Sequence, residues 1–403
     1  MTLDDFYFLL TPQGQRLLQE LSAIPITPQN HLQLATQLRQ QVAPELAQAV
    51  LETTLLRQLA VEKFSRADQM YFTRPALEQA SAEIVSTYRA GRYAVAGFSH
   101  IADLGCSVGG DALALAAEAT VTGIEWDEVR LAMAQENVRV YGHGERFHPL
   151  QADLTELSPL LVQALFFDPA RRDERGRRFF SVHQYQPPLD LIDRWRQVAG
   201  NRRLLHAAVK ISPGVDYAEL PPDAEIEFIS VTGDVREGVL WYGELHSGVK
   251  RRATLLPGVH TLTTEDLPTE AVAVTAPSAY LYEPDGAVIR AHLVEALAAR
   301  LGATKIDAEI AYLTAASAQE TPFARCFAVE ATFPFQLKRL RHYLQAQGIG
   351  RVTVKKRGSP LDPDQLRRQL RLRGDEGKHR IVFLTHIQGE AAVLIGQELT
   401  YYA

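Results

Sequence analysis

IADLGCSVGGD, residues Ile101–Asp111, is the stretch whose reading decides the fold. Apolar residues lead into Asp103, glycines follow at Gly105, Gly109 and Gly110, and an alanine-rich run, ALALAAEA, opens at Ala112. A strand that ends in a glycine turn and passes into a helix is the arrangement in which open α/β sheets cradle a nucleotide-like cofactor. Glycine permits the positive φ and the close backbone approach that such a turn needs. Ser107 stands where the dinucleotide fingerprint has its second glycine, so the spacing departs from that pattern.

Charge narrows the choice of cofactor. Asp103 and Asp111 bracket the turn. Both would repel a pyrophosphate, whereas acidic groups attract the sulfonium and ammonium of S-adenosylmethionine (S-adenosyl-L-methionine). The residues therefore favour a methyl donor over NAD or ATP.

The neighbouring elements extend the same sheet. TVTGIEW (Thr120–Trp126) reads as a second strand ending in Glu125, about twenty residues beyond Asp103, where a carboxylate can accept both ribose hydroxyls. Trp126 offers an apolar face beside the adenine. Val129, Met133 and Val140 fall at roughly helical spacing between Asp127 and Gly142, which predicts a crossover helix. FHPLQAD supplies a third strand ending in Asp153, whose side chain can cap the adenine edge, and ALFFD a fourth ending in Asp168.

On these residues the chain resembles a known group. DLGCSVGGD, the acidic end of the second strand, QAD and DPAR (Asp168–Arg171) are similar to the class I S-adenosylmethionine-dependent methyltransferases. FTRPALEQAS (Phe72–Ser81), YLYEPDGAVIRAHL (Tyr280–Leu293) and VTVKKRGSPLDP (Val352–Pro363) resemble, more narrowly, a bacterial subgroup with a C-terminal THUMP-like domain. The likeness spans most of the chain beyond Glu62. It implies an α/β fold: a Rossmann-like, seven-stranded methyltransferase sheet with an N-terminal helical domain and a small C-terminal α/β (THUMP-like) domain.

The cofactor set is Asp103, Gly105, Ser107, Gly109, Gly110, Glu125, Trp126 and Asp153. The segment Thr73–Gln79 resembles the part of many methyltransferases that lies against the methionine end of the cofactor, which adds Thr73 and Gln79. The plain alternative is a helix start, with Thr73 as cap and Glu78 and Gln79 in solvent. Asp168, Pro169 and Arg171 are the catalytic candidates, because the end of the fourth strand borders the crevice where such sheets place ligands. Related nucleic-acid amino methyltransferases carry Asp or Asn, two prolines and an aromatic there. Ala170 and Arg171 replace the second proline and the aromatic, a departure from the adenine N6 pattern, though a guanidinium plane also stacks on bases. Asp168 would orient the nucleophile or accept its proton, in an in-line transfer governed by positioning. Its structural alternative is a brace for the turn.

With 403 residues the chain exceeds what one hydrophobic core supports. The expected domains are a helical segment 1–90, a methyltransferase domain 91–255, a small ferredoxin-like α/β module 277–325 and a basic THUMP-like domain 326–403. Leu34, Leu38, Val42, Leu46, Val50, Leu55 and Leu59 recur at helical intervals in the first. LLHAAVKIS reads as a buried parallel strand, and EIEFISV and EGVLWYGEL around TGDVR as an antiparallel pair. A reversed last strand suits a methyltransferase better than a dehydrogenase. The Pro- and Thr-bearing stretch Leu256–Ser278 reads as a linker carrying or following one short strand.

The overall charge of −6 conceals a reversal. Between Pro334 and Arg380 thirteen Lys and Arg face four acids, a net +9. That asymmetry suggests a basic module holding a polyanion, and RNA is the expected partner. Lys355, Lys356, Arg357, Arg367, Arg368 and Arg371 are the RNA-binding candidates, against the plain reading of a solvated face. Stacking aromatics are scarce there, so backbone or duplex shape would be read. Arg171, Arg172, Arg175, Arg177 and Arg178 could add phosphate contacts beside the crevice or form a solvated loop.

Other classes are disfavoured. The two cysteines, Cys106 and Cys326, give no disulfide framework, and Cys106 sits in the cofactor turn as a small packing residue. The twelve histidines show no ligand spacing, so no metal is expected. The start, MTLDDFYFLL, is acidic and has too short an apolar part for a signal peptide, and no segment has the length of a membrane span, so a cytoplasmic protein is expected. The sequence thus points to an S-adenosylmethionine-dependent methyltransferase acting on a nitrogen of an RNA base. Two alternatives stay open: an RNA-binding protein with a non-catalytic cofactor-binding core, and a small-molecule methyltransferase in which the basic segment is incidental.

Overall fold

A computed structural model describes residues 1–171, 179, 181–197 and 206–399. The chain forms two compact units, Met1–Glu225 with Glu237–Gly248, and Ile226–Arg236 with Val249–Ala403.

The first unit begins with helices α1 (Leu3–Leu10), α2 (Pro12–Ser22), α3 (His31–Leu38), α4 (Pro44–Ala60), α5 (Arg74–Gln79) and α6 (Glu83–Ala96). Local chemistry sets their ends. Thr2 and Asp5 form a reciprocal capping box on α1, Thr11 caps α2 ahead of Pro12, and Gly97 ends α6 in the left-handed region at φ 73°.

The sheet elements follow: β1 (His100–Leu104), α7 (Ala112–Glu118), β2 (Thr120–Glu125), α8 (Glu128–Val140), β3 (Phe147–Gln151), β4 (Ala164–Phe167), α9 (Asp190–Gln197) and β5 (His206–Ile211). β6 (Glu225–Val231) and β7 (Asp234–Tyr242) flank a two-residue turn, Thr232–Gly233, with φ of 50° and 93°. Positive φ at both positions is the geometry of a tight hairpin connection.

Within this unit the strand order is β3-β2-β1-β4-β5-β7. The first five are parallel, and β7 runs antiparallel to β5, from Ala207 opposite Tyr242 to Ile211 opposite Gly238. The reversed strand is the one expected. Of seven expected strands six belong here, while β6 opens at Glu225 and otherwise belongs to the second unit. β1 is flanked by β2 on one side and β4 on the other, so the order reverses at β1 and a crevice opens at the carboxyl ends of β1 and β4. β4 is buried along its whole length, as strands covered on both faces are.

The lead-in helices pack against this sheet. Tyr93 of α6 donates its hydroxyl to the Leu165 carbonyl at 2.6 Å, and Arg92 lies over Trp241 of β7 at 4.1 Å. Buried Asn137 of α8 exchanges two hydrogen bonds with the Tyr71 backbone, at 2.7 and 2.8 Å. The physical reason is coverage: α6 closes a sheet face that would otherwise meet water.

The second unit contains β8 (Arg251–Leu256), parallel to β6, and β9 (His260–Thr263), antiparallel to β8. β9 therefore occupies part of the expected linker. Then come β10 (Tyr280–Pro284), α10 (Gly286–Arg290), α11 (Val294–Leu301), β11 (Thr304–Lys305), β12 (Leu313–Ala315), β13 (Ala324–Pro334), α12 (Leu337–Ala346), β14 (Ile349–Lys356), α13 (Pro363–Leu370), β15 (Asp375–Ile387) and β16 (Glu390–Glu398). They build a sheet of order β11-β12-β10-β13-β16-β15-β14. Segments 277–325 and 326–403 were expected as two modules, yet β10 pairs with β13 along its length, from Tyr280 opposite Ala328 to Pro284 opposite Ala324. Three short strands bury too little alone, and Leu281 and Tyr312 share a buried cluster with Phe327 and Phe383. On the other face Leu340 and Leu344 of α12 and Leu366 and Leu370 of α13 pack over Val352, Val382 and Val393. Among the described residues no helix is long and apolar enough to cross a membrane.

Candidate active site

A cavity of about 1150 Å³ opens at the β1–β4 crevice, lined from α5, the turn after β1, the ends of β2 and β4, and the segments Ala152–Thr155 and His183–Pro188. Small-molecule sites usually measure roughly 300–1,000 Å³, so it has room for a nucleoside-sized donor and part of an acceptor.

The turn after β1 is built as its glycines require. Gly105 and Gly109 sit at φ 80° and 81°, and a Cβ on Gly109 would come within 3.1 Å of Ala134 on α8. Ser107 adopts φ 49°, left-handed despite its side chain, and its amide donates to Glu125 Oε2 at 3.1 Å. Both Gly105 and Cys106 donate to the Ile124 carbonyl at 2.9 Å, tying the turn to β2. Gly109 supports the turn from behind, while Gly105, Ser107 and Gly110 line the cavity. Burial pushes the Cys106 thiol well up, which removes thiolate character and agrees with a packing role.

Asp103 is 1% exposed, and neither carboxylate oxygen has a protein hydrogen-bond partner. Burial, with Asp111 and Asp168 as neighbouring like charges, pushes its carboxyl well above the usual range. A buried acceptor bordering the cavity without a donor fits the positively charged amino group of a methionine moiety. Asp111 behaves differently from the sequence expectation. It does not present a free charge: its Oδ1 is held by Arg89 at 2.5 Å, so the attraction for a cationic donor rests on Asp103.

Glu125 ends β2 inside the cavity. It accepts from the amides of Ser107, Trp126 and Asp127, each at 3.1 Å, and pairs with Arg130 at 3.2 Å. Burial raises its carboxyl, with Arg130 opposing. The backbone bonds fix the carboxylate at the position where ribose hydroxyls would reach it. Trp126 is 70% exposed at the rim, with the Arg130 guanidinium 5.7 Å from its ring centre. Asp153 also lines the cavity, but its Oδ1 takes the hydroxyl and amide of Thr155, at 2.7 and 2.8 Å, and these bonds hold its carboxyl low. Gln79 lines the cavity. Thr73 does not; it caps α5, accepting from the Ala76 amide at 3.3 Å, because a hydroxyl at a helix start is drawn to the unpaired amides of the first turn.

Asp168 stands at the end of β4 with Pro169 and Arg171, all on the cavity wall. Its Oδ2 accepts from Lys210 of β5 at 2.7 Å. Burial pushes its carboxyl up, but Lys210, Arg171 and Arg89 outweigh that and hold it below the ordinary value. Arg171 turns its Nη1 to the Ile211 carbonyl at 3.3 Å, which ties the motif to β5. The backbones of Ala170 and Gln186 exchange two hydrogen bonds, at 2.8 and 3.0 Å, so the segment through Tyr185 forms one wall of the cavity. Arg172, Arg175, Arg177 and Arg178 lie outside the described residues.

Sequence reasoning missed the charged layer beneath this wall. Arg89 of α6 is 2% exposed and bonds Asp111, Glu237 at 2.9 Å and Ser81 at 2.8 Å. Asp111, Glu237 and Asp168 raise its already high pKa further, against burial. Lys210 Nζ reaches Ser81 Oγ at 3.0 Å as well as Asp168. A single charged residue inside an apolar run, Lys210 in HAAVKI, is the signal that could have flagged the lysine, whereas Glu237 follows Arg236 just ahead of GVLWY and carries no such mark.

In the second unit the six RNA candidates lie on and just after β14 and on α13 with its C-cap, and differ in how far their charges are engaged within the fold. Lys355 pairs with Glu283 and lies over Phe327, and Arg357 donates to the Ala311 carbonyl at 3.1 Å above Tyr312. Both have partners within the fold, which their sequence reading as RNA ligands did not anticipate. Lys356, one residue along β14, is exposed, as are Arg368 and Arg371; Arg367, also exposed, pairs with Asp364. Lys338 and Arg339 on α12 add exposed charge near this group.

Comparison with known proteins agrees with this geometry. Residues 98–187 match the family model described as RNA cap guanine-N2 methyltransferase, residues 324–398 a THUMP domain-like model, and residues 2–60 a domain of unknown function. Two relatives from Mycobacterium tuberculosis, strains CDC 1551 / Oshkosh and ATCC 25618 / H37Rv, carry the description uncharacterized S-adenosylmethionine-dependent methyltransferase. Each is 38% identical over 341 residues, covering 81% of this chain and 89% of the relative. A crystal structure of a Porphyromonas gingivalis W83 protein assigned as a methyltransferase covers 94% of this chain and all of its own, with a TM-score of 0.73 at 20% identity, which supports the fold. By its identity with the mycobacterial relatives across most of both chains, this chain belongs to the S-adenosylmethionine-dependent methyltransferases.

Proposed function

We propose that the protein methylates a nitrogen of an RNA base, with the RNA engaged through exposed cations of the second unit. S-adenosylmethionine supplies a methyl group on a positively charged sulfur; the acceptor lone pair forms the new C–N bond as the C–S pair leaves with sulfur. Asp103 would hold the donor's amino group, Glu125 its ribose, and Trp126 and Asp153 the adenine. Gly105, Ser107, Gly109 and Gly110 shape the turn that admits it, and Gln79 borders the methionine end.

The observation that carries the reading is Asp168: an acceptor-side carboxylate at the end of β4, held low in pKa, with Oδ2 taken by Lys210 and Oδ1 given no hydrogen-bond partner among the described residues. Such a group draws an N–H toward the methyl and takes the proton that the new N-methyl cation must lose. Pro169 and Arg171 border the acceptor. The description RNA cap guanine-N2 methyltransferase for residues 98–187 supports an exocyclic amine as the acceptor, and the THUMP-like match supports RNA. Exposed Lys356, Arg368 and Arg371, with Arg367, would contact phosphates. Cys106 and Cys326 are buried thiols and not joined in a disulfide, which supports a cytoplasmic setting.

The test is transfer of labelled methyl groups to total cellular RNA by wild type and Asp168→Asn, with RNA retention measured in parallel. Transfer should fall by about 10²–10⁴-fold while retention holds. Retention without transfer by the wild type would instead favour a non-catalytic RNA-binding protein.

A further inference from the structure

β5 reads HAAVKI, and its residues from Ala207 to Ile211 are all buried, so Lys210 takes its ammonium out of water. An ammonium in that position persists when it is paired and hydrogen-bonded. Lys210 Nζ meets both conditions, with Asp168 Oδ2 at 2.7 Å and Ser81 Oγ at 3.0 Å. Ser81 Oγ also accepts from Arg89, which holds Asp111 and Glu237. The lysine is therefore anchored from α6 and β7 as well as from its own strand, and it has little freedom to leave Asp168.

We infer that Lys210 is a positioning residue for methyl transfer: it pins one oxygen of Asp168 in a charge-assisted hydrogen bond, so that the other oxygen receives the acceptor's N–H. This rests on the reading of Asp168 as the group that meets the acceptor nitrogen. It also narrows the acceptor. A carboxylate kept ionised in a buried wall attracts a neutral N–H donor and repels an anionic nucleophile such as a thiolate or a carboxylate.

The groups facing Asp168 bear this out. Lys210 of β5, Arg89 of α6 and Arg171 of the following loop favour the ion; burial, Asp103 of β1 and Glu237 of β7 oppose it, and Tyr185 stands near as a neutral phenol. Arg89 is committed to Asp111 and Glu237, so the cation in direct contact decides the balance.

Carboxyl ¹³C NMR of the full chain tests this without any substrate, with the Asp168 signal identified by its loss in Asp168→Asn. In the wild type Asp168 should titrate below the usual value of about 3.9. In Lys210→Met the midpoint should rise by about one to three pH units, and in Lys210→Arg it should stay near wild type. A wild-type midpoint above the usual value, or the same midpoint in Lys210→Met, overturns the inference; if Lys210→Met does not fold, the wild type and Lys210→Arg decide it. In transfer to total RNA, Lys210→Met should lose activity only as pH falls below its raised midpoint, about tenfold one pH unit beneath it, and recover at high pH, with the donor KM unchanged. A uniform loss at every pH would mean a structural role only and overturn the inference. RNA methylation that fails while the NMR midpoint moves as expected counts against the substrate reading and leaves the Lys210 inference standing.

Discussion

Replacing Asp103 by Asn should strengthen the protein and weaken its grip on the methyl donor at the same time. The substitution keeps shape and removes a charge that is 1% exposed and without a protein partner. Because burial raises the Asp103 carboxyl, the folded chain keeps a proton that the unfolded chain releases. Stability contributed by this group therefore falls as pH rises from about 3.9 through the folded midpoint, and the full penalty persists above it. Each pH unit of elevation corresponds to about 1.4 kcal/mol. Asn has no proton to lose, so Asp103→Asn should exceed wild type by roughly 1–3 kcal/mol at pH 8, with the gap closing toward pH 4. Donor binding should move the other way. Losing one partner of a buried, hydrogen-bonded charge pair costs about 2–4 kcal/mol, or roughly 30- to 1,000-fold in Kd. Denaturant unfolding at several pH values and calorimetry with S-adenosylmethionine read the two effects. Unchanged donor affinity, or a stability gap identical at pH 5 and pH 8, would refute the reasoning.

Other perturbations follow from the same geometry. Glu125→Ala should weaken donor binding by about tenfold or more, since it removes a buried carboxylate oriented by three amides, and calorimetry would register it. Arg89→Met leaves Asp111 and Glu237 buried without their cation and should cost about 3–5 kcal/mol in unfolding measurements. Lys356→Ala, Arg368→Ala and Arg371→Ala should each flatten the salt dependence of RNA retention by about 0.7–0.9 in slope, whereas Lys355→Ala, whose charge is spent on Glu283, should leave the slope unchanged.

What the sequence disclosed was local. Asp103, Glu125 and Asp168 each follow apolar residues of a strand, Asp153 comes just past the end of β3, and a strand's end is where its next side chain meets the crevice, so position sufficed to bring them to the cavity. The supporting layer was not legible in this way. Ser81 and Lys210 are 129 residues apart, Ser81 and Glu237 156, and nothing in a strand's pattern names the partner of its one buried charge. Thr73 shows the limit of resemblance: its hydroxyl satisfies the start of α5. For the basic segment, counting charge misled where strand alternation would have helped. Lys355 on β14 and Arg357 just past its end lie over Phe327 and Tyr312, where their charges are used within the fold, while Lys356 between them is exposed.

The most direct measurement is nucleoside analysis of total RNA after incubation with the enzyme and labelled S-adenosylmethionine. The label should reside on a base nitrogen, with an exocyclic amine as the expected acceptor, and should be absent when Asp168→Asn replaces the wild type. Label on the ribose 2′-oxygen, or recovered in a small metabolite while the RNA stays unlabelled, would contradict the account.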